Sequence, residues 1–375
     1  MKISFLIYSY FPYGGQQRDF FRIAEQCVLR GYKIDVYALS WEGEIPENFN
    51  VIIVPIKALT NIGLYRKYTS WVTSHLRQTE PTLVVGFNKM PGLDLYFAAD
   101  PCFLEKADKE RAFYYKFTPR FGHFAEYEKK VFGENQPTQI MILTEQQRLG
   151  FKKYYPDCAS RMFVLPPGID SDRKLDDTFK VKRSEFRKAF GIKDGQFVIL
   201  QIGSGFKVKG VDRSLRAIAS LPHDLKRTIK FVLVGKDSPK RILRLARNLE
   251  ILDSLMIVSG SEDIPSFLAG SDLMLHPAYR ESAGHVLLEA TVAGLPVLTT
   301  STCGYAYHIE KAESGLVCSE SFKQEELNLK LDSMIRDLDN ESWSKNGMNY
   351  GRQNDLYSLH EKATNLIDKF ARSMS

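Results

Sequence analysis

Short apolar runs rich in Ile, Val, Leu and Phe recur along the first part of the chain, at residues 3–8, 33–39, 51–54, 83–87 and 140–143. Helical stretches such as residues 20–29 separate them, and this alternation predicts parallel strands joined by crossover helices. The series then begins again, with runs at residues 198–202, 229–234, 255–258, 273–276 and 297–299. Between the two series lies Pro166-Pro167-Gly168, whose restricted backbone suits a turn or an extended crossing, so a domain boundary is predicted there. The expected fold class is α/β, with two Rossmann-like doubly wound domains at residues 1–167 and 168–354. Ligands of such sheets bind at the carboxyl ends of the strands, and the expectation is an interdomain cleft at those ends. No internal repeat or low-complexity segment interrupts the pattern.

Composition narrows the class. A chain of 375 residues exceeds one comfortable core and suits two domains, and 44% hydrophobic with 26% charged residues describes a soluble globular protein. No apolar run approaches the roughly 20 residues of a membrane span. Residues 3–8 are too short, and too soon followed by Pro12 and Gly14, to be a signal peptide, so a cytoplasmic location is expected. Five cysteines without CxxC or ligand-like spacing are expected to be reduced and structural, and seven histidines show no HxxxH pair that would point to zinc. The net charge of +6 favours anionic partners, but nucleic acid, acidic lipid and phosphate-rich substrates satisfy it equally.

The most informative stretch is Glu281-Ser-Ala-Gly-His-Val-Leu-Leu-Glu289, followed by Gly294-Leu-Pro296 and a Val-Leu run. Ser282, Ala283 and Gly284 leave room for a ligand to approach the backbone. Helix formers from Val286 to Ala293, ended by Gly294 and Pro296, predict a helix whose start, at Gly284, His285 and Val286, offers N–H groups and a positive dipole end to a phosphate. Two carboxylates beside an anion site suit the hydroxyl-bearing groups at the two ends of a diphosphate. Glu281 is expected to accept from hydroxyls of a transferred sugar and Glu289 from a ribose, the layout of a nucleotide sugar. A nicotinamide oxidoreductase is disfavoured, since no GxGxxG follows the first strand. A nonenzymatic membrane- or nucleic-acid-binding module would leave these residues without a purpose.

At these residues the sequence resembles the retaining glycosyltransferases of the GT-B fold. Gly14-Gly15 after the first strand, Val164-Leu-Pro-Pro-Gly-Ile169, Lys209-Gly210-Val-Asp-Arg213 and the E-x7-E block occur in the order such enzymes use. Within that group, Tyr10-Phe-Pro-Tyr-Gly-Gly-Gln-Gln-Arg-Asp19, Gly86-Phe-Asn-Lys-Met-Pro-Gly-Leu-Asp94, Phe97-Ala-Ala-Asp100 and Thr302-Cys-Gly-Tyr-Ala306 are similar to the lipopolysaccharide core glucosyltransferases of Gram-negative bacteria, over nearly the whole chain. The resemblance implies transfer of glucose from UDP-glucose to the first heptose of the inner core, with retention and without a metal. It also implies an acceptor-binding first domain, a nucleotide-sugar-binding second domain, and a last helix, about residues 355–375, packing back on the first. The same fold with another donor or another glycolipid acceptor is the alternative.

Glycosyl transfer requires a grip on the nucleotide, charge stabilisation of the departing diphosphate and a positioned acceptor hydroxyl. Lys209, after the Gly203-Ser-Gly205 loop, is the expected cation at the β-phosphate. Many relatives carry an arginine nearby where this chain has Ser204 and Val208, so Arg173, or failing that Lys207, is expected to supply it. Gly14 and Gly15 let the backbone approach the diphosphate, and Asp19 either complements a helix dipole or contacts the donor sugar. By family position Asp100 is the acceptor-side contact and the best side-chain candidate for proton transfer; Asn88, Lys89 and Asp94 are weaker acceptor candidates. The Asp170-Ser171-Asp172 triplet is metal-like but lies in a crossing. No residue presents itself as a covalent nucleophile, and the resemblance implies a front-face route in which the leaving phosphate oxygen takes the acceptor proton. Finally, residues 103–132 interleave aromatics with Lys106, Lys109, Arg111, Lys116, Arg120, Lys129 and Lys130, which suits an anionic inner-membrane surface on its cytoplasmic face.

Overall fold

The computed structural model describes every residue except 13, 81, 177, 338–341 and 374–375. The chain divides into two compact units: Met1–Pro166 with Ser358–Ser375, and Pro167–Tyr357.

In the first unit the described residues form an all-parallel sheet of β1 (Lys2–Leu6), β2 (Lys33–Ala38), β3 (Phe49–Ile53), β4 (Leu83–Gly86), β5 (Leu95–Ala98), β6 (Gln139–Ile142) and β7 (Met162–Val164). The spatial order is β3-β2-β1-β4-β5-β6-β7. β1 is an interior strand, with Phe5 opposite Val36 on one side and Val85 on the other. Helices cover both faces, so its Ile3–Leu6 segment is continuously buried rather than alternating, and this is why the sequence shows apolar runs. The order reverses between β1 and β4, the switch point at which such sheets bind ligands.

Helix α1 (Gly15–Leu29) packs against the C-terminal helix α6 (Leu359–Ser373) of the same unit. Tyr32 OH donates to Asp368 Oδ1 at 2.5 Å and Arg30 to Asn365 at 2.6 Å. Asp19 is 2% exposed and its Oδ1 lies 3.0 Å from His360 Nε2. The helix begins at Gly15, so Asp19 lies beyond its first turn. Its carboxylate neither complements the dipole nor meets solvent, and it joins α6 to α1.

The second unit repeats the topology. β8 (Phe197–Ile202), β9 (Ile229–Val234), β10 (Leu255–Val258), β11 (Leu273–His276), β12 (Val297–Thr300) and β13 (Gly315–Cys318) are ordered β10-β9-β8-β11-β12-β13, all parallel. Along β8 the side chains alternate between two cores. Ile199 joins Phe231, Leu273 and Leu215 on one face, while Val198 and Leu200 join Met274, Leu287 and Ala290 on the other. The edge strands β7 and β13 escaped the sequence pattern because they are short and half-exposed. All five cysteines are free and buried.

Candidate active site

The switch point of the second sheet lies between β8 and β11, and the two residues singled out in the sequence leave the sheet there. Lys209 follows β8 through the Gly203-Ser-Gly205 loop. Gly210 then starts α4 (Val211–Ala219) at φ +69°, a left-handed conformation, and a Cβ there would collide with the Pro277 carbonyl. Gly210→Ala is therefore expected to destabilise the unit by about 1–3 kcal/mol and to lower activity with it, as a urea titration and a rate measurement on the same variant would show.

Glu281 follows β11 in a loop held from several sides. Arg213 bonds the carbonyls of Pro277 and Ala278 at 3.2 Å each, with its guanidinium 3.6 Å from the ring centroids of both Tyr279 and Phe322. Thr300 and Thr302 donate to the Ala278 carbonyl at 2.8 and 2.7 Å, and the Glu281 N–H donates to the Thr302 carbonyl. The loop carbonyls are thus satisfied by side chains, which fixes the Glu281 backbone.

The Glu281 side chain is held between two nitrogens. Lys209 Nζ donates to Oε1, and His276 Nε2 lies 2.6 Å from Oε2. The side chains of Lys209, Glu281 and His276 are 20%, 14% and 0% exposed. Burial works against the Glu281 charge, but His276 and then Lys209 outweigh it and bring the carboxyl down to about 2. Lys209 and Glu281, read from the sequence as separate contacts to phosphate and sugar, thus form one ion pair. His276 was missed. Its signal was a histidine ending an apolar strand five residues before the acidic motif.

Helix α5 (His285–Val292) follows Gly284, which has φ +98°. Neither a side-chain cap nor a first-turn acid occupies its start. Ala283 and Gly284 are buried, His285 and Val286 half-buried. His285 meets the Tyr305 ring edge-on. Glu289 is 5% exposed on the second turn, with Oε1 3.8 Å from Arg173 Nε. Arg173 is itself 6% exposed, and its other nitrogens reach Asp172 at 2.6 Å and Asp170 at 3.4 Å. Its charge is shared among three carboxylates, so it is a brace for Glu289 more than an unengaged cation for a diphosphate. The same contacts occupy the carboxylates of the Asp170-Ser171-Asp172 triplet.

Among the described residues the fold does gather a metal-like group that spacing concealed: ligand atoms of His276, Glu281 and Cys303 lie within 4.8 Å of one another. Both Glu281 oxygens already meet a nitrogen, and burial pushes the Cys303 thiol up to about 12. A cation there would have to displace the Lys209 ammonium and deprotonate that thiol, so the set fits an ion-paired carboxylate better than a metal.

In the first unit, Gly14 caps α1 with extended backbone and Gly15 is so open that a Cβ would touch nothing within 4 Å. Asp94 accepts from the Val84 N–H at 2.8 Å, a structural contact in which burial raises its pKa. Asp100, Asn88 and Lys89 follow β5 and β4 and line a common cavity. Glu128, which the sequence presented as one more charge in a mixed segment, is fully buried. It accepts from Lys89 Nζ at 2.5 Å, the N–H groups of Phe103 and Leu104 at 2.6 and 3.1 Å, and Tyr155 OH at 3.2 Å. It thereby staples helix α3 (Pro119–Phe132), which carries it, to the start of α2 (Phe103–Glu110).

Residues 103–132 do not form a single surface. Tyr127, Val131 and Phe132 belong to the core, whereas Phe113, Tyr114 and Phe117 on a 3-10 turn are 75%, 75% and 76% exposed. Two of the cations are already paired, Lys109 with Glu105 and Lys116 with Asp108. No helix among the described residues is long and apolar enough to cross a membrane.

Residues 182–350 match the family described as glycosyl transferases group 1. Over 368 residues, 98% of this chain and 98% of its relative, the sequence is 45% identical to the lipopolysaccharide glucosyltransferase WaaG of Escherichia coli strain K12. The chain belongs to the WaaG family of group 1 glycosyltransferases. A crystal structure of WaaG, a glycosyltransferase involved in lipopolysaccharide biosynthesis, superposes with a TM-score of 0.93, covering 97% of this chain and 99% of that one at 45% identity. Anabaena HepE in complex with UDP-glucose shares the fold, with a TM-score of 0.74 at 18% identity over 98% of this chain and 100% of the other. The two doubly wound units are accordingly those of a GT-B enzyme, and the WaaG-family chain is a glycosyltransferase.

Proposed function

We propose that this enzyme transfers glucose from UDP-glucose to a heptose of the lipopolysaccharide inner core, with retention of configuration, at the cytoplasmic face of the inner membrane. The observation that carries the reading is the near-complete alignment with E. coli WaaG, and the Lys209–Glu281 pair at the switch point of this chain's second unit supports it. Lys209 faces the charge that develops on the departing diphosphate, a role that an ammonium in a water-poor setting performs without reorganisation. Glu281 orients Lys209 and accepts from hydroxyls of the glucose, and Glu289, braced by Arg173, accepts from the ribose. The Gly284–Val286 helix start admits the diphosphate. Asp100 serves the acceptor side, and the leaving phosphate oxygen takes the acceptor proton as the bond to glucose breaks.

A mass-spectrometric transfer assay with a panel of nucleotide sugars and heptose-containing core acceptors tests this directly. Product from UDP-glucose and a core heptose is expected; exclusive use of another donor or acceptor would replace the reading. We propose further that no metal takes part. EDTA is expected to leave the rate essentially unchanged, and a loss restored by magnesium or manganese would turn attention to His276, Glu281 and Cys303.

Membrane docking is proposed through the exposed Phe113, Tyr114 and Phe117, with neighbouring cations contributing about 1 kcal/mol each at an anionic surface. Replacing the three aromatics by Ser should abolish flotation with phosphatidylglycerol vesicles and spare transfer to a delipidated acceptor. Flotation equal to wild type would show that another face docks.

A further inference from the structure

The first sheet has its own switch point, and a cavity of about 290 Å³ opens beside it, where Tyr8, Asn88, Lys89 and Asp100 leave β1, β4 and β5. That volume suits about one or two sugar rings. The lining is markedly basic: Lys89, Lys106, Arg111 and Arg120 face a single carboxylate, that of Asp100.

These cations are not equivalent. Lys89 is neutralised by the buried Glu128. Arg111 and Arg120 instead lie over aromatic rings of the same cavity, with guanidinium carbons 5.3 Å from the centroids of Tyr115 and Phe124. Among the described residues neither has a carboxylate at ion-pair distance. A guanidinium resting on a ring keeps its N–H edge available, and two such edges with an ammonium match the oxygens of a tetrahedral dianion.

The rest of the wall suits a sugar. Tyr65 stacks on Tyr8 with centroids 4.2 Å apart and planes at 13°, which presents an aromatic face to the C–H surface of a pyranose. Asn88 Oδ1 accepts from the Tyr8 N–H at 2.8 Å, so its amide NH2 remains to donate. The Asp100 carboxylate, without a hydrogen-bond partner among the described residues, remains to accept from hydroxyls.

We propose that this cavity binds a saccharide bearing a phosphate monoester, its ring against Tyr65 and Phe124 and its phosphoryl group held by Arg111, Arg120 and Lys106. The inference rests on the reading that the first unit takes the acceptor, and it adds that the acceptor is recognised through a phosphate. Arg120, read from the sequence as a membrane cation, becomes a ligand contact.

Two arms test it on the full chain. In calorimetry, mannose 6-phosphate is expected to bind roughly tenfold or more tighter than mannose or inorganic phosphate. The Arg111→Gln/Arg120→Gln variant should lose that preference while keeping its unfolding midpoint, and Arg→Lys at both positions should recover part of it. In the transfer assay, phosphatase treatment of the core acceptor is expected to raise KM about tenfold for wild type and to leave the KM of the Gln variant unmoved. Equal use of both acceptors by wild type, or equal binding of mannose and its 6-phosphate, overturns the proposal. So does a Gln variant that loses flotation on phosphatidylglycerol vesicles but still prefers the sugar phosphate, because the guanidinium groups would then serve lipid headgroups. Failure of glucose transfer to every acceptor would sink the proposed activity and still leave the calorimetry to decide the cavity.

Discussion

Lys209→Ala and Glu281→Gln each lower glucose transfer by roughly ten- to hundredfold, the equivalent of one charge-assisted contact of about 1.5–3 kcal/mol. The structure separates the two variants. Lys209→Ala leaves Glu281 bonded to His276, so the fold survives and the loss falls on chemistry. Glu281→Gln removes the counter-charge of the half-buried Lys209 and replaces the carboxylate oxygen that lies 2.6 Å from the fully buried His276, so stability falls as well. The pH dependence gives an independent reading. The Glu281 carboxyl sits near 2 in the folded chain against an ordinary 4.5. Its contribution is therefore fully present above about 4.5 and lost as pH falls toward 2, on the order of 2–3 kcal/mol. Urea midpoints measured from pH 6 to pH 2 should show a steeper fall for wild type than for Glu281→Gln. Parallel curves would mean that the carboxylate is not held ionised by its neighbours.

Glu128→Gln destabilises the first unit by about 3–5 kcal/mol, because Lys89 is left without its counter-charge beside an amide that cannot accept from all five donors, the Cys102 thiol included. The effect should show as a lowered urea midpoint. Adding Lys89→Gln should restore part of the loss, since the double variant no longer strands a charge. A Glu128→Gln protein within about 1 kcal/mol of wild type would show that the staple is dispensable. Because Glu128 fixes the start of α2, which carries Lys106 of the cavity wall, the stability and the shape of that cavity are coupled through one carboxylate.

Several residues mark how far local pattern carries. Glu281 and Lys209 stand out in the sequence because each lies in a short glycine-containing motif that follows an unmistakable apolar strand, and Glu289 because it lies eight positions after Glu281 in the helix that follows. Arg213 stood in the same quoted motif, yet nothing local tells that its guanidinium would lie between Tyr279 and Phe322 and bind the loop of Glu281. Asp19 misled for a related reason. An acid near a helix start is ordinarily a dipole complement, and only the return of the chain after residue 357 supplies His360.

The sequence by itself determined the two α/β units, the position of Lys209 and Glu281 in loops that follow strands, and the family, since all of these depend on periodicity and on motifs a few residues long. The tertiary structure alone decided which polar side chains meet. Lys209 and Glu281 are 72 positions apart, Lys89 and Glu128 39, and Asp19 and His360 341. Such pairs form because parallel sheets bring the ends of distant strands together, and a side chain's charge acquires a partner, and with it a role, only when the fold has taken both out of water.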